Sequence, residues 1–397
     1  MSQICFKLTA AFALLCLTTI HGAGQTQREP RLTAILLGAE TILYNPARQG
    51  CDANDIPDSP LRAYRDETGA IAAFALHFDN RRLSGAAFDK LRLECAIVFR
   101  GSGNGDPKRY DDRAWIAATY TEDGSTVFGL VHHEFQADKH PSRCSRSVYI
   151  ECWWNSILAI RSQNGGREFS RAQSQVMAAS SEPSESGQGR HRGFFNPSNI
   201  IKFKDRYFTL IATTGWAGQT SGVCLFRSSQ LGDGADWAAF DGTEFKARFP
   251  DPYSTRRPAS GACKPVGPFP APVGSITQHA GSGLFLAVFQ AAKGMPDGQG
   301  SQFPVSGFYL ATSPDLLRWS PPERLLATRS LYDNPCGESL LRTYPSIIDP
   351  ASGSRNFDTT GDTALLTFTE IIVEGCTITH QRRLVGQPMR ISRYFVE

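Results

Sequence analysis

The chain has 397 residues, of which 41% are hydrophobic and 20% are charged, so it can bury a sizeable core and wholesale disorder is excluded. Its 41 basic and 38 acidic residues leave a net charge of +3, and this near balance provides no field for steering nucleic acid or an anionic membrane surface. The 36 glycines, 24 prolines and 11% aromatic residues are typical of many short strands joined by tight turns, not of a helical bundle.

The N-terminus has the pattern of an export signal. An apolar run over residues 8–20 is too short to span a bilayer, and Gly22 and Gly24 after it fit the small-residue rule for cleavage. No later apolar run approaches the length of a membrane span. The sequence therefore predicts a signal peptide over residues 1–24 and a secreted or periplasmic protein, with residues 25–397 as a single domain.

The cysteines agree with export. Eight remain once Cys5 and Cys16 leave with the signal peptide, and an even number in an exported chain favours disulfides over metal ligation. No Cys-x-x-Cys pair is present, so a zinc site is not expected. We predict pairing in sequence order, as Cys51–Cys95, Cys144–Cys152, Cys224–Cys263 and Cys336–Cys376.

Strand patterns dominate the rest of the chain. Short runs of alternating or continuous apolar residues are separated by turns rich in Gly, Asp, Asn and Pro. The predicted strands cover residues 70–78, 96–100, 114–121, 127–135, 153–161, 200–213, 222–228, 284–290, 307–313, 364–372 and 388–395. No amphipathic helix of a dozen residues is present, so the predicted fold class is all-β.

A degenerate internal repeat groups these strands. In each unit a short polar or Pro-containing opener precedes a strand, a turn, a second strand and a third strand that ends near Ser and Trp or Phe. The openers lie at residues 58–62, 111–115, 196–200, 272–276 and 344–349. Five units of this size predict a five-bladed β-propeller, stapled by disulfides, with long loops near 171–193 and 250–272. The segment 33–44 is predicted to supply the outer strand that closes the ring with the last unit.

Two of the predicted units end in a recognisable turn. Residues 162–169 read Ser-Gln-Asn-Gly-Gly-Arg-Glu-Phe, a degenerate Asp-box, and residues 313–319 read Ser-Pro-Asp-Leu-Leu-Arg-Trp, a shorter form. In such turns the Ser and the Asn or Asp bond the turn backbone, while the aromatic ring packs between blades. The shorter turn resembles those of five-bladed propeller glycoside hydrolases of the arabinanase/xylosidase and invertase-like families, and the Asp-box resembles that of sialidases.

The resemblance to arabinanase-like families implies an Asp on the first blade as base, an Asp on the second blade that tunes the acid, and a Glu as general acid. Glycoside hydrolysis needs two carboxylates across the bond, about 5–5.5 Å apart for retention and roughly 6.5–9.5 Å apart for inversion. Asp58, at the start of the first inner strand, fits the base or nucleophile, and an Asx-turn cap is the alternative. Asp112, or Asp111 beside it, holds the matching place on the second blade, where a solvated turn is the alternative.

Glu134 is the candidate acid. It follows two histidines in an otherwise apolar strand, and a half-buried Glu among His has a shifted pKa. Strand alternation puts His132 and Glu134 on one face and His133 on the other, and a satisfied His–Glu pair is the alternative interpretation. In the families that the chain resembles, the acid comes from the third blade. The third opener here, residues 196–199, offers no carboxylate, so Glu338 is the reserve acid.

Seven side chains near the predicted inner strands are candidate binders. Arg can clasp carboxylates or sugar hydroxyls, Trp can stack on sugar rings, and Asn and His can form a polar rim. Ion pairing between blades, core packing and turn chemistry are the alternatives. The candidate substrate-binding residues are Arg62, His132, Trp153, Asn196, His279, Arg342 and Tyr344.

These features favour a secreted glycoside hydrolase that acts on an oligo- or polysaccharide. Two alternatives stay open: a sialidase-like exo-glycosidase that uses an arginine cluster (Arg62 and Arg342) with Tyr344, and a non-catalytic propeller that binds glycan or protein. No cofactor is expected, and Ca²⁺ in the channel is only a weak expectation because no acidic loop of recognisable spacing supports it. We expect a monomer with no nucleic-acid partner and no membrane span.

Overall fold

The computed structural model describes residues 29–254, 259–298 and 300–396. The predicted signal peptide, residues 1–24, and part of the predicted loop near 250–272 lie outside the described residues. Within them regular structure is almost entirely β-strand, and the one α-helix is a single turn. The predicted all-β fold class is confirmed.

The strands are numbered in chain order. They are β1 Glu29–Leu36, β2 Thr41–Tyr44, β3 Pro57–Arg65, β4 Ile71–Leu76, β5 Arg81–Gly85, β6 Arg92–Ile97, β7 Arg113–Tyr120, β8 Val127–Gln136, β9 Trp153–Ser162, β10 Ser170–Ala179, β11 Arg192–Phe195, β12 Ile201–Phe203, β13 Arg206–Thr213, β14 Gly222–Ser228, β15 Ala238–Phe240, β16 Phe245–Ala247, β17 Val273–His279, β18 Phe285–Ala291, β19 Gly307–Ser313, β20 Glu323–Ala327, β21 Leu340–Ile348, β22 Thr359–Thr360, β23 Thr363–Glu374 and β24 Thr377–Val396. The helical elements are α1 Pro46–Gln49 and the 3₁₀ turns Phe88–Lys90, Pro107–Arg109, Ala137–Lys139, Tyr149–Cys152 and Gly232–Gly234.

The strands form five successive groups of mainly antiparallel neighbours. The first group is β3 to β6, the second is β7 to β10, the third is β11 to β16, and the fourth is β17 to β20 with β22 beside β17. The fifth group contains β21, β23 and β24. Most strands that are consecutive in the chain also pair in the sheet, some through short turns, such as β23 with β24, and some through long connections, such as β8 with β9. A short parallel pairing of β11 with β9 joins the second and third groups into one ten-stranded sheet.

Both ends of the described chain meet in the fifth group. β1 pairs antiparallel with β24, from Glu29 opposite Val396 to Leu36 opposite Met389, and β2 pairs with the same strand. The segment 33–44, predicted to pair with the last unit, lies in β1 and β2, so that pairing is confirmed. We call the pairing of β1 and β2 with β24 the closing seam; Leu32, on β1, is only 2% exposed there. The seam is therefore held by buried apolar side chains as well as by backbone hydrogen bonds.

Buried apolar clusters fill the spaces between successive groups. One cluster lies between the first and second groups, and others lie between the second and third, the third and fourth, and the fourth and fifth. A further cluster joins the fifth group to the first, where Ile348 packs with Leu61. The first strands of three groups also adjoin each other, since β21 contacts both β3 and β17, and β3 contacts β7 of the second group as well; β17 contacts β13 of the third group. In the described part of the chain, the order of the groups is therefore cyclic.

A small cavity lies where these first strands approach each other. Its volume is about 20 Å³, and residues of β3, β7, β17 and β21 line it together with Asn199. This volume suits about one water molecule. This cavity is therefore too small to hold a larger ligand.

Four disulfides staple the groups, and all four predicted pairs are confirmed: Cys51–Cys95, Cys144–Cys152, Cys224–Cys263 and Cys336–Cys376. The Asp-box turn also has its predicted bonding. Ser162 Oγ accepts the amide of Gly166 at 3.0 Å, and Asn164 Oδ1 accepts the amide of Glu168 at 3.0 Å. The ring of Phe169 packs against that of Phe74 in the first group, with 5.8 Å between the ring centroids.

Two predicted elements need correction. The predicted loop near 171–193 begins with a strand, because β10 runs from Ser170 to Ala179 and pairs with β9 in an irregular register. Its polar sequence hides the strand, since burial is concentrated in its C-terminal half. The predicted strand 200–213 is two strands, β12 and β13. Lys204 and Asp205 separate them, taking left-handed φ values of 48° and 56° in a turn.

Candidate active site

One row of side chains crosses the second group where β7 begins. The antiparallel register aligns Arg113 of β7, Glu134 of β8 and Asn155 of β9. Trp115 and His132 face each other two residues further along. Side chains two residues apart in a strand share a face. This face therefore presents polar and aromatic side chains together at one end of the sheet.

Asp58 of β3 lies beside this face, and donors from several groups enclose its carboxylate. Trp115 Nε1 donates to Oδ2 at 3.2 Å, and the Tyr344 hydroxyl donates to Oδ1 at 3.2 Å. Arg382 of β24 forms an ion pair with Oδ1. His77, just after β4, has its Nε2 3.5 Å from Oδ2. The carboxylate keeps 15% exposure, so an external group can still reach it.

Glu134 has a very different setting, although it is similarly enclosed, with 13% exposure. Gln136 Nε2 donates to its Oε2 at 2.7 Å, and His132 Nε2 lies 3.7 Å from its Oε1. Burial raises the pKa of Glu134 to about 7; the hydrogen bond from Gln136 opposes this rise, while the negative charge of Asp58 adds to it. Below pH 7 this carboxyl therefore holds a proton.

The two carboxyl groups belong to one cluster. The indole N–H of Trp115 binds Asp58, and the indole ring lies 5.9 Å from the ring of His132, the neighbour of Glu134. The charge of Asp58 acts on Glu134 strongly enough to raise its pKa. The structure thus brings two predicted catalytic residues into one cluster. Asp58 is bound by the cation of Arg382 and by two neutral donors, whereas Glu134 is buried and bound by the amide of Gln136.

A neutral histidine and two amides form one wall of the cluster. His132 is 4% exposed, and burial lowers its pKa to about 3. Asn155 Nδ2 donates to His132 Nε2 at 2.7 Å, and Asn196 also hydrogen-bonds to the ring. Asn196 does so from a left-handed φ of 47°, which Asn tolerates better than most residues. Oδ1 of Asn155 is buried without a partner among the described residues, so the wall keeps one free acceptor.

Six members of this cluster are not among the residues predicted from the sequence: His77, Arg113, Trp115, Gln136, Asn155 and Arg382. Arg113 and Trp115 fall within the second opener, residues 111–115, so attention to its basic and aromatic residues would have found them. His77 follows the strand that pairs with β3, and its closeness to Asp58 follows from that hairpin. Arg382 comes from the last group and has no local signal, because only the closure of the fold brings it to β3.

Asp112 lies behind the face that carries Glu134. It precedes Arg113 by one residue, so alternation turns it to the opposite side of the sheet. Its Oδ2 accepts the backbone amide of Gln136 at 2.9 Å and lies 3.0 Å from His140 Nε2. From there its charge still helps to raise the pKa of Glu134. The predicted tuning role of Asp112 is compatible with this position, whereas direct contact with substrate is not.

Arg62 serves the interior of the fold. It is 2% exposed, and its guanidinium donates to the carbonyls of Leu61, Ala117 and Pro197 at 3.4, 2.6 and 3.1 Å. Burial lowers its pKa to about 9. These carbonyls belong to different strand groups, so the side chain braces the centre and has no access to a substrate. The predicted binding role of Arg62 is replaced by a structural one.

Two other predicted binders have their own partners. Arg342 bridges Glu40 and Glu370 at 2.9 and 3.1 Å, so it is ion-paired within the sheet of the fifth group and not between two groups. His279 lies at the end of β17, and its Nε2 is 2.9 Å from Asp362. His279 is the last residue of β17, whereas Asp58 is the second residue of β3. Neither residue joins the cluster.

The reserve carboxylates are also engaged elsewhere. Asp111 forms an ion pair with Arg171, and Glu338 lies 3.0 Å from Arg329. Both pairs lie outside the row formed by β7, β8 and β9. Among the described residues, neither carboxylate forms an ion pair or hydrogen bond with a member of the cluster, so neither is a candidate for its chemistry.

The two remaining predicted binders border the cluster. Tyr344 donates its hydroxyl to Asp58 from a left-handed φ of 56°, and burial raises its pKa well above the ordinary value. Trp153 is half-buried, and its Nε1 donates to Asp138 at 2.7 Å. Its neighbour Trp154 is fully buried in the core. One tryptophan of this pair thus faces outward and the other inward.

Among the described residues, no group of three or more His, Cys, Asp or Glu side chains lies close enough together to hold a metal ion. No helix within the same residues is long and apolar enough to cross a membrane.

Comparisons with known proteins give distant similarities only. No protein-family model matches the chain, and a search of curated proteins finds no match. A protein of unknown function from Dyadobacter fermentans is 10% identical with a TM-score of 0.45, over 91% of this chain and 99% of that one. A glycosyl hydrolase from Bacteroides ovatus is 10% identical with a TM-score of 0.46, over 87% of each chain. An α-L-arabinanase of Cellvibrio cellulosa, solved as a mutant, is 11% identical with a TM-score of 0.45, over 83% and 90%. Likenesses at this level establish neither family nor activity.

Proposed function

We propose that the chain is an exported glycoside hydrolase built as a five-bladed β-propeller, with Asp58 and Glu134 as its catalytic carboxyl pair. Five strand groups in cyclic order, with a buried cluster between each two neighbours, support a propeller of five blades. Four disulfides suit an oxidising compartment, as the predicted signal peptide does. The substrate is an oligo- or polysaccharide.

One observation carries this proposal: two carboxyl groups in one cluster have opposite surroundings. Asp58 is paired with Arg382, whereas Glu134 is buried and has its pKa raised to about 7. An acid that stays protonated beside a second carboxylate is the arrangement that cleavage of a glycosidic bond requires. The charge on Asp58 itself favours the proton on Glu134.

Glu134 is the general acid of this mechanism. Because its Oε2 accepts a hydrogen bond from Gln136, Oε1 is the oxygen left to carry the proton, which passes to the oxygen of the leaving group. Asp58 acts across the scissile bond as base or nucleophile. Arg382 and Trp115 fix the orientation of its carboxylate, so little reorganisation is needed when charge develops on the sugar.

A hydrolysis screen tests the proposal. Purified protein is incubated with 4-nitrophenyl glycosides and with soluble polysaccharides, alongside Asp58→Asn, Glu134→Gln and the matched control Glu338→Gln. We expect Asp58→Asn to abolish turnover and Glu134→Gln to lower kcat about 10²-fold or more on natural linkages. The Glu134→Gln loss should be smaller on 4-nitrophenyl glycosides, whose leaving group needs little protonation.

Two outcomes count against the proposal. If the wild type hydrolyses no glycoside but still binds a polysaccharide, the chain is a binding propeller. If it hydrolyses one and both cluster variants retain full activity, the catalytic pair is assigned wrongly. Glu338→Gln should keep wild-type activity, because its carboxylate pairs with Arg329 outside the cluster.

A sialidase-like reaction is the second candidate, and one contact favours it. The Tyr344 hydroxyl donates to Asp58, which is the Tyr–acid contact that such a nucleophile needs, and Arg382 and Arg113 provide positive charge nearby. The predicted arginines for this role, Arg62 and Arg342, are engaged elsewhere. Release of 4-methylumbelliferone from its sialoside, lost in Tyr344→Phe, would favour this reaction over the first.

A further inference from the structure

A row of aromatic rings leads away from the acid of the proposed pair. It begins at His132, whose ring lies 6.3 Å from Phe195, and continues from Phe195 to His191 at 5.2 Å. His191 lies 6.2 Å from Trp153, and Trp153 lies 5.3 Å from Tyr149. These rings come from β8, β11, the residue just before β11, β9 and the 3₁₀ turn Tyr149–Cys152. The row thus runs without a break from His132, the neighbour of Glu134, to the exposed ring of Tyr149.

The far end of the row is an exposed apolar segment. Val148, Tyr149 and Ile150 are 49%, 56% and 38% exposed. Adjacent large apolar side chains that are exposed to water are typical of a binding surface, because a partner that covers them removes apolar area from water. The disulfide Cys144–Cys152 closes an eight-residue separation around this segment. Because this cross-link restricts the segment near the row, the segment loses less conformational entropy when a ligand binds to it.

Polar atoms without partners lie along the same row. Three atoms are buried without a hydrogen-bond partner among the described residues: His191 Nε2, Gln188 Oε1 and, at the inner end of the row, Asn155 Oδ1. Gln188 contacts Trp153 by donating its Nε2 to the carbonyl at 2.8 Å. Buried polar groups are usually satisfied. Because protein atoms cover these three atoms, the hydroxyl groups of a ligand reach them only when neighbouring side chains move, whereas the apolar faces of a sugar can lie against the exposed aromatic rings without such a movement.

The direction of the row follows from the position of the acid. A general acid protonates the oxygen of the leaving group, so the side of the site next to Glu134 is the leaving-group side. The row starts at His132, whose Nε2 is 3.7 Å from Glu134. The other wall, around Asp58, Arg382 and Tyr344, lies across the scissile bond. Sugar units beyond the cleaved bond on the leaving-group side therefore meet the aromatic row.

From this arrangement, which rests on the proposed function, we infer that the outer part of the row, formed by Trp153 and Tyr149, is a binding surface for the leaving-group portion of a glycan chain, and that the buried rings from His132 to His191 support it from behind. It accepts successive sugar units by stacking, with Tyr149 at its outer limit. The preferred substrate is consequently a polysaccharide or long oligosaccharide, and cleavage leaves a released portion of several units bound along the row.

The test compares a polymer with an aryl glycoside of the same sugar, using the full chain. For Tyr149→Ala, we expect the ratio of kcat/KM on the polymer to that on the 4-nitrophenyl glycoside to fall about fivefold, because loss of one aromatic contact costs about that factor. Phe395→Ala is the matched control: it removes an aromatic ring that is 51% exposed on β24, in the fifth group, whereas the row belongs to the second and third groups, and it should leave the ratio unchanged. Retardation of Glu134→Gln in a native gel that contains the polymer, weakened by adding Tyr149→Ala, is the second readout.

The results separate this inference from the proposed function. If the wild type cleaves both substrates and Tyr149→Ala changes them equally, the row is overturned and the proposed catalytic pair stands. An unchanged gel mobility between Glu134→Gln and the double variant would also overturn it. If the wild type cleaves nothing, the catalytic proposal fails and the inference falls with it.

Discussion

Replacing Glu134 by Gln should change how stability depends on pH. Burial raises the pKa of Glu134 from 4.5 to about 7 in the folded chain, so the folded protein keeps a proton that the unfolded chain releases. This difference corresponds to roughly 3 kcal/mol, since one decade of proton affinity is worth about 1.4 kcal/mol. The stability contributed by this group is therefore complete below pH 4.5 and is lost as the pH rises to about 7.

Glu134→Gln cannot ionise and preserves the shape of the side chain. Its free energy of unfolding, relative to wild type, should increase by roughly 3 kcal/mol between pH 4.5 and pH 7.5. Urea unfolding followed by intrinsic fluorescence at a series of pH values measures this difference. Glu122→Gln is the control with the opposite sign, because the bonds from Lys202 and Tyr207 lower the pKa of Glu122. A Glu134→Gln difference that does not vary with pH would refute the reasoning.

Three further predictions concern the scaffold. Arg62→Met removes the side-chain donor to the buried carbonyls of Ala117 and Pro197 and one of the two side-chain donors to that of Leu61, and it should lower the free energy of unfolding by about 3 kcal/mol; a loss under about 1 kcal/mol would contradict the bracing role. Leu32→Ala at the closing seam should cost about 2–5 kcal/mol in urea unfolding, whereas Ile35→Ala, 56% exposed on the same strand, should cost less than about 0.5 kcal/mol; equal losses would argue against the seam. Replacing Cys224 and Cys263 together by Ala should lower the unfolding free energy by about 2–5 kcal/mol, and an unchanged thermal transition would show that this staple adds nothing.

Features with a local or chain-order signal could be predicted from the sequence. The disulfides follow chain order because each joins segments within one unit or its immediate neighbour. The turn at Ser162 could be predicted because its polar side chains bond their own backbone, which needs no distant partner. Asp58 and Glu134 could be predicted as site residues for a related reason. Asp58 lies at the start of a predicted strand and Glu134 interrupts an apolar one, and strands of a propeller end close to one another.

The partners of long polar side chains could not be predicted. Arg62 and Arg342 look alike in sequence, yet one braces buried carbonyls and the other bridges Glu40 and Glu370. Asp112 precedes Arg113, the residue that is paired with Glu134, and its side chain therefore lies on the opposite face of the sheet. Only the observed strand register shows which of the two residues shares a face with Glu134. Arg382 pairs with Asp58 across 324 residues, a contact that depends on closure of the whole fold.

Carboxyl ¹³C NMR of protein labelled at glutamate reads the ionisation of Glu134 directly, with the Glu134→Gln spectrum assigning its signal. We predict a midpoint at about pH 7 in the wild type and a lower midpoint in Asp58→Asn, because the neighbouring negative charge is then absent. A wild-type midpoint near the ordinary glutamate value, or one that stays in place in Asp58→Asn, would contradict the claim that these two carboxyl groups act as a pair.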